Sequence, residues 1–215
     1  MLSLRTKVLD NEQLNANILL LSETHLKRQF QAEGWQTAQT RHDSKGGALV
    51  ASKLRWFKSI KTLGTGIAWA SVSKDFHPVQ LISVYLAPQN AKQVKETMGR
   101  LLLAVDNVLT NLPRSKFLIA GDFNEHRASM QRELVARGFV GVIPEGLNTH
   151  RDGHHLDQIF ANFSVDVQQL PEGTVDSDHR SFLVTATIVK DQGDVDLRHL
   201  PRQHTKADMR KLANE

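Results

Sequence analysis

Short apolar runs closed by Gly, Pro, Asn or Asp recur between Asn17 and Val189, and no other feature of the chain limits its fold as tightly. Residues 18–21, 48–51, 68–72, 81–85, 117–120, 156–161 and 182–189 are each too short for an ordinary helix and each is bounded by turn formers. Such runs read as buried strands. Helical periodicity is confined to two places. Over 92–112, Val94, Met98, Leu101, Leu102, Val105, Val108, Leu109 and Leu112 recur at three- and four-residue steps and Pro113 follows; over 128–137, Met130, Leu134 and Val135 share a side and Gly138 follows. Strands thus outnumber helices. The pattern suggests an α/β protein of two sheets packed face to face with helices outside, or a single mixed sheet, which hydropathy alone does not separate.

The remaining composition narrows the chemistry. There is no cysteine, which removes disulfides, thiolate metal sites and cysteine nucleophiles together, so a metal would have to sit on carboxylate, amide or imidazole ligands. A formal charge of +4 and a pI near 9.4 are compatible with a polyanionic partner without dense Lys/Arg blocks. No stretch approaches the roughly 18 apolar residues of a membrane span, and Met1-Leu2-Ser3-Leu4-Arg5-Thr6-Lys7 lacks the apolar core of a secretory signal, so the expectation is an intracellular protein without a membrane partner. After Val189 apolar anchors become sparse. We read 1–190 as one domain and 191–215 as a polar tail, with at most a loose helix over 205–213 capped by Thr205.

Carboxylates and amides gather where the apolar runs end. Leu19-Leu20-Leu21-Ser22-Glu23 delivers a glutamate to the end of a strand, where ligands bind in many sheets. Phe117-Leu118-Ile119-Ala120-Gly121-Asp122-Phe123-Asn124 presents an acid and an amide two residues apart, which in extended geometry share a face and suit a hard cation and a water; an Asx turn closing the strand is the alternative. Asp157 lies inside the apolar run 156–161 and needs a partner if buried. His179, after Ser177 and Asp178, would suit, because an Asp on one ring nitrogen fixes the tautomer and raises the basicity of the other; a turn amide is the alternative partner. His150, His154 and His155 have no Cys and no second motif beside them for a zinc site, and are read as surface residues or ones that face a polyanionic partner. Trp35, Trp56 and Trp69 are read as core or sheet-face residues.

Taken in order, Leu21-Ser22-Glu23-Thr24, Val84-Tyr85-Leu86-Ala87-Pro88, Gly121-Asp122-Phe123-Asn124, Leu156-Asp157-Gln158-Ile159-Phe160 and Ser177-Asp178-His179 resemble the endonuclease/exonuclease/phosphatase superfamily, from about Ser3 to Val189. Ser22-Glu23-Thr24-His25-Leu26, Gly46-Gly47-Ala48-Leu49-Val50 and Asn148-Thr149-His150-Arg151 look most like the endonuclease domain of non-LTR, LINE-type retrotransposons. The resemblance implies a DNase I-like four-layer α/β/β/α sandwich of two mixed sheets and a Mg²⁺-dependent phosphodiesterase, with Mn²⁺ as a substitute cation. It further implies nicking of DNA to a 3′ hydroxyl, a nuclear setting, and a reverse transcriptase module elsewhere in the element that these 215 residues do not contain.

The implied roles fall residue by residue. Glu23 would bind the metal and Asp178 would support its charge. Asp122 would align or deprotonate the attacking water, and Asn124 would position that water or the phosphate. His179, oriented by Asp157, would contact the scissile phosphate; Tyr85 would donate to a phosphate oxygen, and Thr149 would contact phosphate or DNA. The chain departs from the pattern twice. The family's first strand and its metal-site Asn would lie ahead of Met1, which Asn15 or Asn17 does not replace, and Ser181 stands where a Pro is usual. The alternative readings are a cellular apurinic-type endonuclease or small phosphodiesterase of the same superfamily, and a non-catalytic truncated remnant that binds nucleic acid.

Overall fold

A computed structural model describes residues 16–40, 46–74, 77–88, 91–175 and 177–187. The Ser3–Lys7 segment, the expected 205–213 helix and the 191–215 tail lie outside the described residues. The chain runs β1 (Ile18–Ser22), β2 (Gln36–Gln39), β3 (Ala48–Ser52), β4 (Phe57–Leu63), β5 (Ile67–Lys74), β6 (His77–Tyr85), α1 (Ala91–Asn111), β7 (Lys116–Asp122), a 3-10 turn (Asn124–His126), α2 (Arg127–Val135), β8 (Val140–Gly141), β9 (Asp157–Ala161), β10 (Asp166–Gln169) and β11 (Phe182–Thr185).

Six strands form one mixed sheet in the order β4-β5-β6-β7-β9-β8, in which only β6 and β7 are parallel. The helix α1 is the crossover that a parallel pair requires. Two smaller antiparallel sheets, β1-β3-β2 and β10-β11, pack on the other side. The six-stranded sheet is therefore apolar on both faces. Ile67, Trp69, Ile82, Val84, Phe117, Ile119 and Phe160 point toward α1 and α2, where Val94, Leu101, Val105, Met130 and Leu134 meet them. Their neighbours of opposite parity, Ala68, Ala70, Leu81, Leu118 and Ile159, meet Val50 of β3, Ile18 and Leu20 of β1, and Phe182 and Val184 of β11. The result is an α/β sandwich of one mixed sheet and two antiparallel ones, with few helices. Among the described residues no strand pairs with β1 on the side away from β3.

The apolar runs mark the central strands well and the peripheral ones poorly. The four-residue strands β2 and β10 and the longer β4 are rich in polar residues, with β4 and β10 mostly exposed and β2 half-buried, so no apolar run announces them. Trp69 is fully buried and donates through its ring N–H to Gln80 Oε1 at 2.7 Å, while Trp35 packs under Lys53. Trp56 corrects the core expectation: it is 46% exposed at the turn into β4.

Candidate active site

The site follows from strand parity and register. Side chains alternate across a strand, so the inward set of β6 is 79, 81, 83 and 85, that of β7 is 118, 120 and 122, and that of β9 is 161, 159 and 157. In register, Tyr85 pairs with Asp122 and Asp122 with Asp157. Three adjacent strands thus place a phenol and two carboxylates side by side at one end of the interior, facing the smaller sheets. The strand β1 lies on that opposite layer, where Leu21 accepts a 2.7 Å hydrogen bond from the Ser83 hydroxyl. This brings the next turn, with Glu23, over the same end.

Backbone geometry then aims the side chains. The non-glycine residues with positive φ among the described ones are Glu23 (51°), His25 (47°) and Asn124 (47°). Asn124 corrects the expectation of a shared extended face: β7 stops at Asp122, and the amide returns to the acid through the turn. The Asn124 backbone N–H donates to Asp122 Oδ1 at 2.9 Å, and Nδ2 donates to Asp122 Oδ2 and to the Leu86 carbonyl, both at 2.9 Å. Both Asx-turn geometry and an oriented amide are therefore present. With both amide hydrogens engaged, its carbonyl oxygen is left for an incoming group.

Asp157 Oδ2 holds His179 Nδ1 at 2.9 Å, and the other ring nitrogen lies 3.8 Å from Glu23 Oε2. The Tyr85 hydroxyl donates to Glu23 Oε1 at 3.5 Å. Glu23, Asp122 and His179 offer ligand atoms all within 4.8 Å of one another. Glu23, Tyr85, Asp122, Asn124, Asp157 and His179 are thus gathered in one place. Asp178 adjoins that group from the side: its carboxylate, half exposed, lies 3.5 Å from His150 Nε2 and within 4.8 Å of a His179 ring nitrogen. Thr149 is 0% exposed, and its hydroxyl accepts the backbone N–H of Leu156 and of Asp157 at 3.0 Å each, so its bond bears on Asp157 rather than on solvent.

His150 corrects the reading of that histidine as a surface or DNA-facing group: its side chain is 14% exposed and its ring centroid lies 4.9 Å from that of His179. His25, quoted in the sequence motif without a role, approaches Glu23 Oε1 at 3.4 Å. No periodicity could have found either residue. For His150 the available signal was proximity to Thr149 in the motif.

Electrostatics divide the site into an acid and a base. Burial pushes the Asp122 carboxyl up to about 7, helped by the Asp157 charge and opposed by the Asn124 backbone bond and by His179. Burial works against a charged His179, but the Asp157 hydrogen bond and charge outweigh it, with Asp122 and Asp178 adding, and the imidazole is pushed up to about 9. Burial and the Glu23 and Asp122 charges raise the Tyr85 phenol to about 12, so it is a donor at neutral pH. Burial disfavours the Asp178 anion, yet its own backbone N–H and the His179 and His150 rings hold its carboxyl below the usual range.

Glu23 and Asp122 carboxylates beside an amide carbonyl are the oxygen donors that a hard divalent cation selects. A protonated His179 fits beside such an ion as a second positive group, not as a ligand.

The family model described as the endonuclease/exonuclease/phosphatase family matches residues 4–179. A search of curated proteins finds no match. Among solved structures, the endonuclease domain of TRAS1, a telomere-specific non-LTR retrotransposon, is similar with a TM-score of 0.65 at 16% identity, over 88% of this chain and 94% of that one. The 3′ phosphatase NExo from Neisseria, bound to a product DNA hairpin, gives 0.63 at 18% identity over 86% and 93% of the two chains. An AP endonuclease from Archaeoglobus fulgidus gives 0.60 at 16% identity over 80% and 89%. At these identities the likeness is one of fold.

Proposed function

The chain belongs to the endonuclease/exonuclease/phosphatase family, whose members are typically metal-dependent nucleases or phosphatases, and from that premise we propose that it nicks DNA with Mg²⁺, leaving a 3′ hydroxyl, as the endonuclease of a non-LTR retrotransposon. The observation that carries the reading is the convergence of Glu23, Asp122 and His179 within 4.8 Å, with Asp157 behind the imidazole. The Ser22-Glu23-Thr24-His25-Leu26 and Gly46-Gly47-Ala48-Leu49-Val50 wording supports the retroelement assignment over other members. On this reading the protein works in the nucleus, beside a reverse transcriptase module of the same element.

In the reaction, water attacks phosphorus, the bond from phosphorus to the 3′ oxygen breaks, and that oxygen leaves as an alkoxide that takes a proton from a solvent water to become the 3′ hydroxyl. Asp122 accepts the water's proton; its raised pKa makes it a better base than an ordinary carboxylate. The Asn124 carbonyl holds the water in line. His179, as imidazolium, and Tyr85, as phenol, face the non-bridging oxygens where negative charge accumulates. Glu23 would hold Mg²⁺, and Mn²⁺ equally by its ligand preference, with Asp178 adding negative charge nearby. Such an ion would supply charge neutralisation for the phosphate as negative charge builds on it.

Supercoiled plasmid tests this directly. The expected result is conversion to open circles in Mg²⁺, abolished by EDTA, with nicks that a DNA polymerase extends without further processing. Glu23→Gln is expected to raise the Mg²⁺ concentration for half-maximal rate by about tenfold or more. A folded protein that binds DNA in a salt-dependent way but never nicks it refutes the enzyme and leaves a nucleic-acid-binding remnant.

The pKa pattern fixes the pH dependence. Asp122 must lose its proton to act, so kcat/KM rises as pH passes about 7; His179 must keep its own, so the rate falls as pH passes about 9. A cation bound beside Asp122 draws the acid limb lower. His179→Asn is expected to remove the alkaline limb while leaving the acid one, measured as initial rates across the range.

A further inference from the structure

His150 stands outside the set that the sequence assigns, and the structure surrounds it with reasons to matter. Its backbone bridges antiparallel to that of His179. On either side, the Arg151 N–H donates to the Asp178 carbonyl at 2.8 Å and the Arg180 N–H to the Thr149 carbonyl at 2.7 Å. Two loops are thereby fastened along one short seam, and the His150 ring meets that of His179 at 79°.

The tautomer of His150 follows from its partners. The Asp152 backbone N–H donates to Nδ1 at 3.1 Å, so Nδ1 must present its lone pair. The ring proton then sits on Nε2, which faces Asp178 Oδ2 at 3.5 Å. His150, Asp178 and His179 also bring ligand atoms within 4.8 Å of one another, and the Nε2–H turned toward Asp178 makes that cluster a hydrogen-bonded one.

We infer that His150 is a positioning residue of the nuclease site: its Nε2–H orients the Asp178 carboxylate beside His179, and its ring forms the wall against which the His179 imidazole rests. Asp157 fixes His179 through one nitrogen only, which leaves the ring able to rock about that bond. His150 closes that freedom from the side. Asp178, half exposed and on a loop, has no other side-chain partner among those described that holds it next to the imidazole. The inference rests on the nuclease reading above.

Two substitutions separate its parts. His150→Phe keeps a ring against His179 and removes the donor, whereas His150→Gln removes the ring and keeps an N–H able to reach Asp178. With Mg²⁺ and a labelled DNA duplex, each variant is expected to lower kcat severalfold with KM within about twofold of the parent, and His150→Ala, which removes donor and ring together, to lower it about tenfold or more. Parental kcat in either His150→Phe or His150→Gln, or a His150→Ala loss no greater than that of one of them while thermal unfolding is unchanged, overturns the inference. A second readout does not need turnover: nitrogen-15 shifts of histidine in the intact 215-residue chain should show His150 as the neutral Nε2–H tautomer, with that signal moving in Asp178→Ala. Any other protonation pattern, or no response to Asp178→Ala, refutes the assignment. A parent that shows this signature but does not nick removes the nuclease reading and not the geometry.

Discussion

Asp122→Asn is expected to abolish nicking and to make the protein more stable. The loss of rate is on the order of 100- to 10,000-fold, the range for removing a general base. The gain in stability has a separate origin. Asp122 is 2% exposed and lies in register beside Asp157, and its carboxyl titrates near 7 instead of 3.8. In the unfolded chain it ionises near the ordinary value, so folding loses ground as pH rises from about 4 to about 7, and the full penalty persists above that window.

Holding a carboxyl near 7 instead of 3.8 corresponds to a penalty of about 4 kcal/mol for the anion. The variant forfeits part of the charge-assisted bonding to Asn124, worth roughly 1.5–3 kcal/mol, so the net gain is on the order of 1–3 kcal/mol. It should vanish below about pH 4. Urea melts of parent and variant at acid and neutral pH measure it. Equal stability at both pH values would show that Asp122 is not held as a strained anion.

Gly121→Ala is expected to be the more damaging change, although it adds one methyl and touches no ligand. A Cβ at Gly121 would sit 1.9 Å from the Val84 carbonyl oxygen and 2.7 Å from its carbon, on a backbone with φ of +154°. Val84 and Gly121 are register partners in the parallel β6–β7 pair, so the obstruction is main chain in the middle of the sheet and has nowhere to move. A cost above about 4 kcal/mol is expected, in the range reserved for steric failure in a core. Gly138→Ala is the control: φ is also positive at +83°, but nothing lies within 4 Å of the added atom. Its cost should be about 1–2 kcal/mol, that of the left-handed conformation alone. Soluble yield and urea midpoint report both, and a Gly121→Ala protein that melts with the parent would mean that β6 and β7 are not in this register.

These expectations indicate how much the chain reveals unaided. Strands buried on two faces spell themselves out, because every position from Ala48 to Ser52 or from Asp157 to Ala161 must exclude water. Edge and half-exposed strands such as Gln36–Gln39 obey local hydrogen bonding that many sequences satisfy, so their composition carries little signal. The acid, amide and imidazole were visible as residue types at strand ends. Their convergence was not, since it depends on the parity and register of β6, β7 and β9, and no local window contains those three strands. Asn124 shows the limit most clearly: its two-residue spacing from Asp122 suggested a common face of a strand, while a single backbone turn at φ 47° achieves the meeting. His150 was legible only as a letter beside Thr149.

The left-handed turns at Glu23 and Asn124 also bear on how such a sequence would age. Each asks a side chain to occupy backbone space that glycine enters freely, at a cost of about 1 kcal/mol or more for the glutamate and less for the asparagine. In a lineage where only folding mattered, glycine at either position would be an improvement available by substitution, and drift would favour it. Where cleavage matters, the same replacement removes the carboxylate or amide from the centre. Glu23 and Asn124 are therefore the places where survival of the fold and survival of the chemistry pull in opposite directions, and where a silenced copy would first part company with a working one.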